Sequence, residues 1–151
     1  MSEQQGAMPR IPLISIVDDD EALRRSLDNL IRSAGFRACG FSSAEAFLES
    51  NQVSETDCLL LDVRIPGMSG LELQGELTAA NSDVPIIFMT AHESGDQRKQ
   101  ALEAGAVAFL NKPFDEEDLL NAIDTALKKK DLKQLGLYAR NLRLAGEVNH
   151  E

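Results

Sequence analysis

Five polar side chains follow short apolar runs of the sequence, and their types suit the movement of a phosphoryl group. Asp18 and Asp19 come directly after one apolar run, Asp62 and Thr90 each end another, and Lys112 follows a fourth. An aspartate can act as the nucleophile, a lysine supplies a point charge for phosphoryl oxygens, and a threonine supplies a hydroxyl donor. Three carboxylates in one crevice repel each other, and a divalent cation such as Mg²⁺ relieves that repulsion. These residue types predict phosphoryl transfer onto a carboxylate.

This chemistry requires elements that bring distant residues to one place. Short apolar runs predict five strands, at residues 13–17, 36–41, 57–63, 84–90 and 107–111. Between them, apolar residues recur at helical spacing, as at Leu23, Leu27 and Leu30. Strand and helix alternate five times, which indicates a parallel sheet with helices on both faces. Because the carboxyl ends of parallel strands share one edge, the five polar residues should converge there.

Small polar residues and a glycine mark the predicted helix boundaries. Gly35 should end the first helix, since glycine readily adopts the left-handed conformation that follows a helix. Ser42 with Glu45, and Ser69 with Glu72, have the spacing of capping boxes. The sequence therefore predicts helices that begin directly after Ser42 and Ser69.

Length and composition favour a single soluble domain. The chain has 151 residues, and its 25 acids and 15 bases give a formal charge of −10, which argues against direct binding of nucleic acid. No apolar stretch approaches the ~18 residues that would span a bilayer, and no secretory signal is visible, so a cytoplasmic protein is expected. The basic run at 128–130 suits a solvated helix end. Cys39 and Cys58 lack metal-ligand spacing and are expected to be buried free thiols.

The chain divides into three predicted parts: a flexible N-terminus at 1–10, one domain at 11–127 and a helical tail at 128–151. The tail is too short for a core of its own, so no DNA-binding domain is expected within it. Its apolar residues recur at helical spacing, at Leu132, Leu135, Ala139 and Leu142. This stripe is expected to pack on the domain or to serve a partner.

Several motifs, in order, resemble the receiver domains of two-component response regulators. They are VDDDEALRRSL at 17–27, LLLDVRIPGMSGLEL at 59–73, IIFMTA at 86–91 and LNKPF at 110–114. Residues 103–123 are similar to FixJ-like receivers in particular, and the resemblance covers 11–127. It implies a flavodoxin-like (βα)5 doubly wound parallel sheet with strand order 2-1-3-4-5, followed by the C-terminal helical extension.

The resemblance implies roles for the acidic residues. Asp62 matches the aspartate that accepts a phosphoryl group from a histidine of a sensor kinase. Asp19 and Asp62 match direct Mg²⁺ ligands, the backbone carbonyl of Arg64 matches a third, and Asp18 matches the acid that reaches the metal through water. The side chain of Arg64 is expected to tune the access of water to the acyl phosphate.

The resemblance also implies a switch. Thr90 matches the hydroxyl that moves toward the phosphoryl group, and Phe109 lies where the family carries its switch aromatic. Lys112 matches the lysine that pairs with phosphoryl oxygens, and its bond to Pro113 is cis in the family. His92, two residues after Thr90, is expected to tune water access together with Arg64.

The function implied is that of a phosphorelay receiver, not an enzyme beyond its own phosphorylation and dephosphorylation. Its partners would be a sensor histidine kinase or histidine phosphotransfer protein and a downstream protein target, with no nucleic acid or membrane. The target would bind near residues 95–104, strand five and the last helix, and phosphorylation could also produce a homodimer. A stand-alone receiver is expected. The alternative is the receiver part of a longer FixJ-like transcription regulator.

Three other classes of protein fit the sequence less well. A haloacid-dehalogenase-type phosphatase also uses an aspartate nucleophile and Mg²⁺, in a DxD motif that Asp18 and Asp20 formally provide, but Ala22 stands where that motif needs Thr or Val. That reading also leaves Asp62 unexplained. A nucleotide-binding domain needs a glycine-rich turn where this chain has acids. A docking-only receiver is disfavoured because the full set of site residues is present.

Overall fold

Five parallel strands form the centre of the protein, seen here in a computed structural model that describes residues 10–92 and 95–132. The strands are β1 (Leu13–Val17), β2 (Arg37–Phe41), β3 (Cys58–Asp62), β4 (Ile86–Thr90) and β5 (Ala108–Asn111). Their order is β2-β1-β3-β4-β5, and each neighbouring pair is parallel. The predicted flavodoxin-like sheet and its strand order are confirmed.

Helices follow each strand. They are α1 (Glu21–Ser33), α2 (Ala44–Glu49), α3 (Gly70–Ala79), α4 (Gly95–Glu103) and α5, which begins at residue 116 and is helical to residue 132. No helix within the described ranges is long and apolar enough to cross a bilayer. The predictions for 1–9 and for Leu135, Ala139 and Leu142 lie outside the described residues.

Two apolar clusters cover the two faces of the sheet. One joins β1, β3 and β4 to α2, α3 and α4, and it contains Phe47, Leu73 and Phe88. The other joins the same strands to α1 and α5, through Ile31 and Leu119 among others. Every residue of β1, β3 and β4 is buried, as expected for central strands covered on both sides. The loops that follow these strands therefore start from buried, tightly packed residues at the carboxyl edge of the sheet.

Helix α1 ends as predicted, and α3 begins as predicted. Gly35 follows α1 with a φ of +97°. Ser69 accepts from the backbone of Glu72, and the Glu72 carboxylate accepts from the backbone of Ser69, which completes a capping box.

The capping box predicted for Ser42 and Glu45 is wrong. Ser43 caps α2 instead and accepts a hydrogen bond from the backbone N–H of Ala46 at 3.0 Å. Glu45 is then one position too early in the helix to reach back to the cap. Its carboxylate accepts instead from the backbone N–H of Met68, at 2.9 Å.

The amino edge of the sheet carries an ion pair. Lys130 Nζ donates to Asp57 Oδ1 at 2.7 Å, and the backbone N–H of Leu13 donates to Asp57 Oδ2 at 2.8 Å. Burial alone would raise the pKa of Asp57, but these partners outweigh it and hold that pKa below its ordinary value. Lys130 is thus half-buried, so the reading of 128–130 as wholly solvated is wrong at this residue. The pair connects α5, at Lys130, to Asp57, the residue before β3.

The two thiols differ in burial. Cys58 is fully buried as predicted, whereas Cys39 on the outer strand β2 is only partly buried. Burial raises the pKa of both thiols.

Candidate functional site

The carboxyl edge of the sheet brings together residues from three strand ends. Asp18 follows β1, Asp62 ends β3, and Lys112 follows β5. Lys112 Nζ lies 2.6 Å from Asp18 Oδ2 and 2.9 Å from Asp62 Oδ2. The convergence expected from a parallel sheet is therefore seen, with the ammonium group shared between two carboxylates. The bond from Lys112 to Pro113 is cis, as in the family that the sequence resembles.

Three carboxylates form a cluster at this edge. One oxygen each of Asp18, Asp19 and Asp62 lies within 4.8 Å of the other two. Asp18 is fully buried and Asp62 is 6% exposed, while Asp19 faces solvent. Hard oxygen donors with one open side fit Mg²⁺, which binds through few carboxylates and keeps several waters. The donor set therefore fits the predicted magnesium ion.

The charges in the cluster are unevenly balanced. Burial raises the pKa of Asp18, and the neighbouring charge of Asp62 acts in the same direction. Burial would lower the pKa of Lys112, but its hydrogen bonds to the two carboxylates outweigh this and raise it. Lys112 therefore stays charged. Among the described residues, the carboxylates of Asp18 and Asp62 share the ammonium group of Lys112, and Asp19 adds a third acidic side chain, so the site would attract a further cation.

The carboxylate of Asp62 is oriented on both of its oxygens. Oδ1 accepts from the backbone N–H of Arg64 at 2.9 Å, while Oδ2 faces Lys112. The side chains of Arg64 and His92 are both exposed at the edge. This places them where tuning residues are expected, although the tuning roles and the Arg64 carbonyl ligand stay predictions.

Gly70 supports the site although the sequence pattern does not single it out. A Cβ at this position would lie 2.4 Å from the backbone oxygen of Asp62, and the Gly70 N–H donates to the carbonyl of Val63 at 3.0 Å. Only glycine allows α3 to start this close to the end of β3. A glycine directly after the helix-capping Ser69 was the signal that could have revealed it.

The hydroxyl of Thr90 is engaged with the chain that follows β4. Thr90 is buried, and its Oγ1 donates to the carbonyl of His92 and accepts from the His92 N–H, both at 3.1 Å. Its hydrogen bonds therefore go to the loop, not to Asp62 or Lys112. Thr90 lies at the predicted edge, but its hydroxyl is turned to a backbone partner.

Phe109 is enclosed between an aromatic ring and a cation. It is 5% exposed, its ring centroid lies 6.0 Å from that of Phe88, and the guanidinium of Arg98 lies 5.7 Å from its ring centre. Arg98 Nη1 also donates to the backbone carbonyl of Phe109 at 3.2 Å. Arg98 was not singled out from the sequence, because nothing local indicates that a polar helix residue reaches β5.

Comparison with known proteins agrees with this arrangement. Residues 14–124 match the response regulator receiver domain family. The response regulator protein TmoT of Ectopseudomonas mendocina is 49% identical over 116 residues, which cover 77% of this chain and 53% of TmoT. The chain spans about half the length of the first relatives it matches (52–53%). The match therefore concerns their receiver parts.

Solved structures show the same fold. The response regulator StyR has a TM-score of 0.80 and 42% identity, covering 88% of this chain and 67% of that one. The structure described as FixJ-N has a TM-score of 0.71 and 34% identity, covering 80% of this chain and 96% of that one. The resemblance to FixJ-like receivers is confirmed.

Proposed function

Because the chain belongs to the response regulator receiver domain family, we propose that it accepts a phosphoryl group on Asp62 and changes its protein contacts in response. The observation that carries this proposal is the geometry of Asp62. Its Oδ1 is held by the Arg64 N–H, and its Oδ2 lies 2.9 Å from an ammonium group. An oriented carboxylate beside a fixed cation is suited to attack phosphorus.

The proposed step forms one bond and breaks one. An oxygen of Asp62 attacks the phosphorus atom, an O–P bond forms, and the bond from phosphorus to the donor's histidine nitrogen breaks, with its electron pair leaving on that nitrogen. Lys112 pairs with the negative phosphoryl oxygens during the transfer. A Mg²⁺ ion held by Asp19, Asp62 and the backbone carbonyl of Arg64, with Asp18 reaching it through water, would supply further neutralisation of phosphoryl charge.

The proposed phosphoryl donor is a sensor histidine kinase or a histidine phosphotransfer protein.

The proposed conformational response to phosphorylation involves Thr90 and Phe109. If the Thr90 hydroxyl turns to the phosphoryl group, the His92 backbone loses both of its bonds to that hydroxyl, and the chain three residues before α4 is released. This would bias the surface of α4, β5 and α5 toward a downstream protein.

Three further expectations stay predictions. Composition supports a cytoplasmic location and no direct contact with nucleic acid, given the charge of −10. A homodimer on phosphorylation is implied only by the family resemblance. Membership of the receiver family decides against the phosphatase and nucleotide-binding alternatives.

Intact-protein mass spectrometry after incubation with acetyl phosphate tests the proposal. We expect the wild type to gain one phosphoryl group in Mg²⁺ and none in EDTA. Asp62→Ala should gain none, and Asp124→Ala, which removes an exposed acid on α5, should behave as wild type. A gain that persists in Asp62→Ala, or no gain in a wild type that binds Mg²⁺, would overturn the assignment of Asp62.

A further inference from the structure

The side chain of Arg24 on α1 holds the acidic loop directly before Asp19. Its Nη1 donates to the carbonyl of Asp18 at 2.7 Å. After Asp19, the carbonyl of Asp20 accepts the first helical hydrogen bond of α1, from the backbone N–H of Arg24 at 3.0 Å, which any residue at this position would donate. The side chain of Arg24 therefore fixes the backbone on the side of Asp19 that the helix does not hold.

The stem of Arg24 packs beside Gly40 on the neighbouring strand β2. A Cβ at Gly40 would lie 3.4 Å from Cδ and 3.8 Å from Nε of Arg24, which is ordinary van der Waals contact. A Cβ alone would therefore be accommodated. The additional γ carbons of a branched side chain would extend beyond that contact distance and press against the stem of Arg24.

We propose that Arg24 is a positioning residue of the magnesium site, which keeps the carboxylate of Asp19 beside those of Asp18 and Asp62. The inference rests on the proposed function only in that these carboxylates bind Mg²⁺. Residues behind metal ligands commonly set metal affinity by fixing the ligands. Arg24 would do so through the main-chain carbonyl of Asp18, to which its side chain donates.

The direction of the effect separates positioning from simple charge. If Arg24 acted only as a nearby positive charge, its removal would strengthen the binding of Mg²⁺. If it only stabilised the fold, removal would lower the free energy of unfolding and leave Mg²⁺ affinity of the folded protein unchanged. Positioning predicts weaker binding although a repelling charge has been removed.

The first experiment is calorimetric titration of Mg²⁺ into wild type, Arg24→Gln and Arg25→Gln, each shown to be folded by circular dichroism. We expect the Kd of Arg24→Gln to rise about tenfold. Arg25 is the matched control, because it is the next residue, is exposed and pairs with Glu21 at 2.9 Å. Its variant should bind as wild type or slightly more tightly. An unchanged or lower Kd in Arg24→Gln would overturn the proposal.

A second variant tests the same contact from the other side. Gly40→Val suits a strand but should displace the stem of Arg24, so its Kd should also rise. Both substitutions remove the same contact. The Kd for Mg²⁺ of the double variant Arg24→Gln, Gly40→Val should therefore not exceed the larger of the two single-variant Kd values. Additive losses would contradict the proposed contact.

A third readout separates this inference from the proposed function. Phosphorylation by acetyl phosphate in Arg24→Gln should need more Mg²⁺ for half-maximal rate, with the rate at saturation within about twofold of wild type. If the wild type does not bind Mg²⁺, the metal site itself is contradicted. If the wild type binds Mg²⁺ and Arg24→Gln binds it equally well, only the role of Arg24 is contradicted.

Discussion

Lys112 Nζ lies 2.6 Å from Asp18 Oδ2, although the two residues are 94 positions apart in the sequence. The protein thus places a cation of its own among the carboxylates that would bind Mg²⁺. The same ammonium group also lies 2.9 Å from Asp62. Lys112 and a divalent cation would therefore stabilise the same negative charges. When one of them is removed, the other should contribute more to the stability of the fold.

Replacing Lys112 by Met should separate these two effects. In EDTA, the free energy of unfolding should fall by about 1–3 kcal/mol, because the buried carboxylate of Asp18 loses its charged partner. The affinity for Mg²⁺ should rise, since no ammonium competes for the carboxylate oxygens. Urea unfolding in EDTA and calorimetric titration of Mg²⁺ measure the two quantities. Lys128→Met, which removes an exposed lysine on α5, is the control and should change neither. Unaltered stability in EDTA would contradict the structural role of the pair.

Mg²⁺ itself should stabilise the fold, because relief of repulsion among the three carboxylates exists only in the folded state. At a concentration one hundred times the Kd, linkage gives about 2.7 kcal/mol and a higher Tm. Asp19→Asn should abolish most of the rise, as seen by differential scanning calorimetry. Glu21→Gln removes an exposed acid two residues away and should keep the full effect. An equal rise in Asp19→Asn would place the ion elsewhere.

The ion pair of Asp57 and Lys130 should give a pH-dependent stability. The pKa of Asp57 in the folded protein is below the ordinary value of 3.8, so its contribution is fully present above that value. It is lost as the pH falls through the folded pKa. Asp57→Asn should therefore be less stable than wild type by about 1–2 kcal/mol at pH 7, and the difference should shrink below about pH 4. Urea unfolding across pH measures this, with Glu55→Gln as an exposed neighbouring control. A difference that stays constant down to pH 2.5 would contradict the pairing.

Two glycines of α3 should respond oppositely to alanine. Gly70→Ala forces a Cβ against the backbone oxygen of Asp62, so we expect a loss of about 2–4 kcal/mol in unfolding free energy and slower phosphorylation. Gly75→Ala meets no atom within 4 Å and should stabilise the helix by about 0.5–1 kcal/mol. Chemical unfolding and phosphorylation rates check both. Similar effects from the two substitutions would refute the close approach at Gly70.

The strand order and the meeting of Asp18, Asp62 and Lys112 could be predicted, because the apolar strands and the residues at their ends are visible in the sequence. Apolar runs identify central strands, and parallel topology then places the residues after them on one edge. Errors in the helices and strands lie at their boundaries. The fourth strand begins at Ile86 instead of 84, since Pro85 has no N–H to donate to a neighbouring strand. Ser42 and Ser43 offer two adjacent caps, and periodicity does not distinguish between them.

The supporting contacts could not be predicted, because a pattern shows which face a residue occupies and not which partner it reaches. Arg24 looks like any polar residue of an amphipathic helix, yet it spans to the carbonyl of Asp18. Lys130 ends a basic run typical of solvent, yet it pairs with Asp57, 73 positions earlier. Glu45 fits a local capping motif, but its partner is Met68 in another loop. Each of these contacts depends on the three-dimensional arrangement of elements distant in sequence.

The ion pair at the amino edge has a consequence for how variation is tolerated. Asp57 precedes β3 and Asp62 ends it, so the length of a five-residue strand, roughly 15 Å, separates the two charged groups. Effects of substitutions at that distance are generally additive. Substitutions near Asp57 that raise the free energy of unfolding should therefore restore the amount of folded protein in variants destabilised near Asp62. They should not change the altered chemistry of those variants. Folding stability and the chemistry at Asp62 can then vary independently within the same 151 residues.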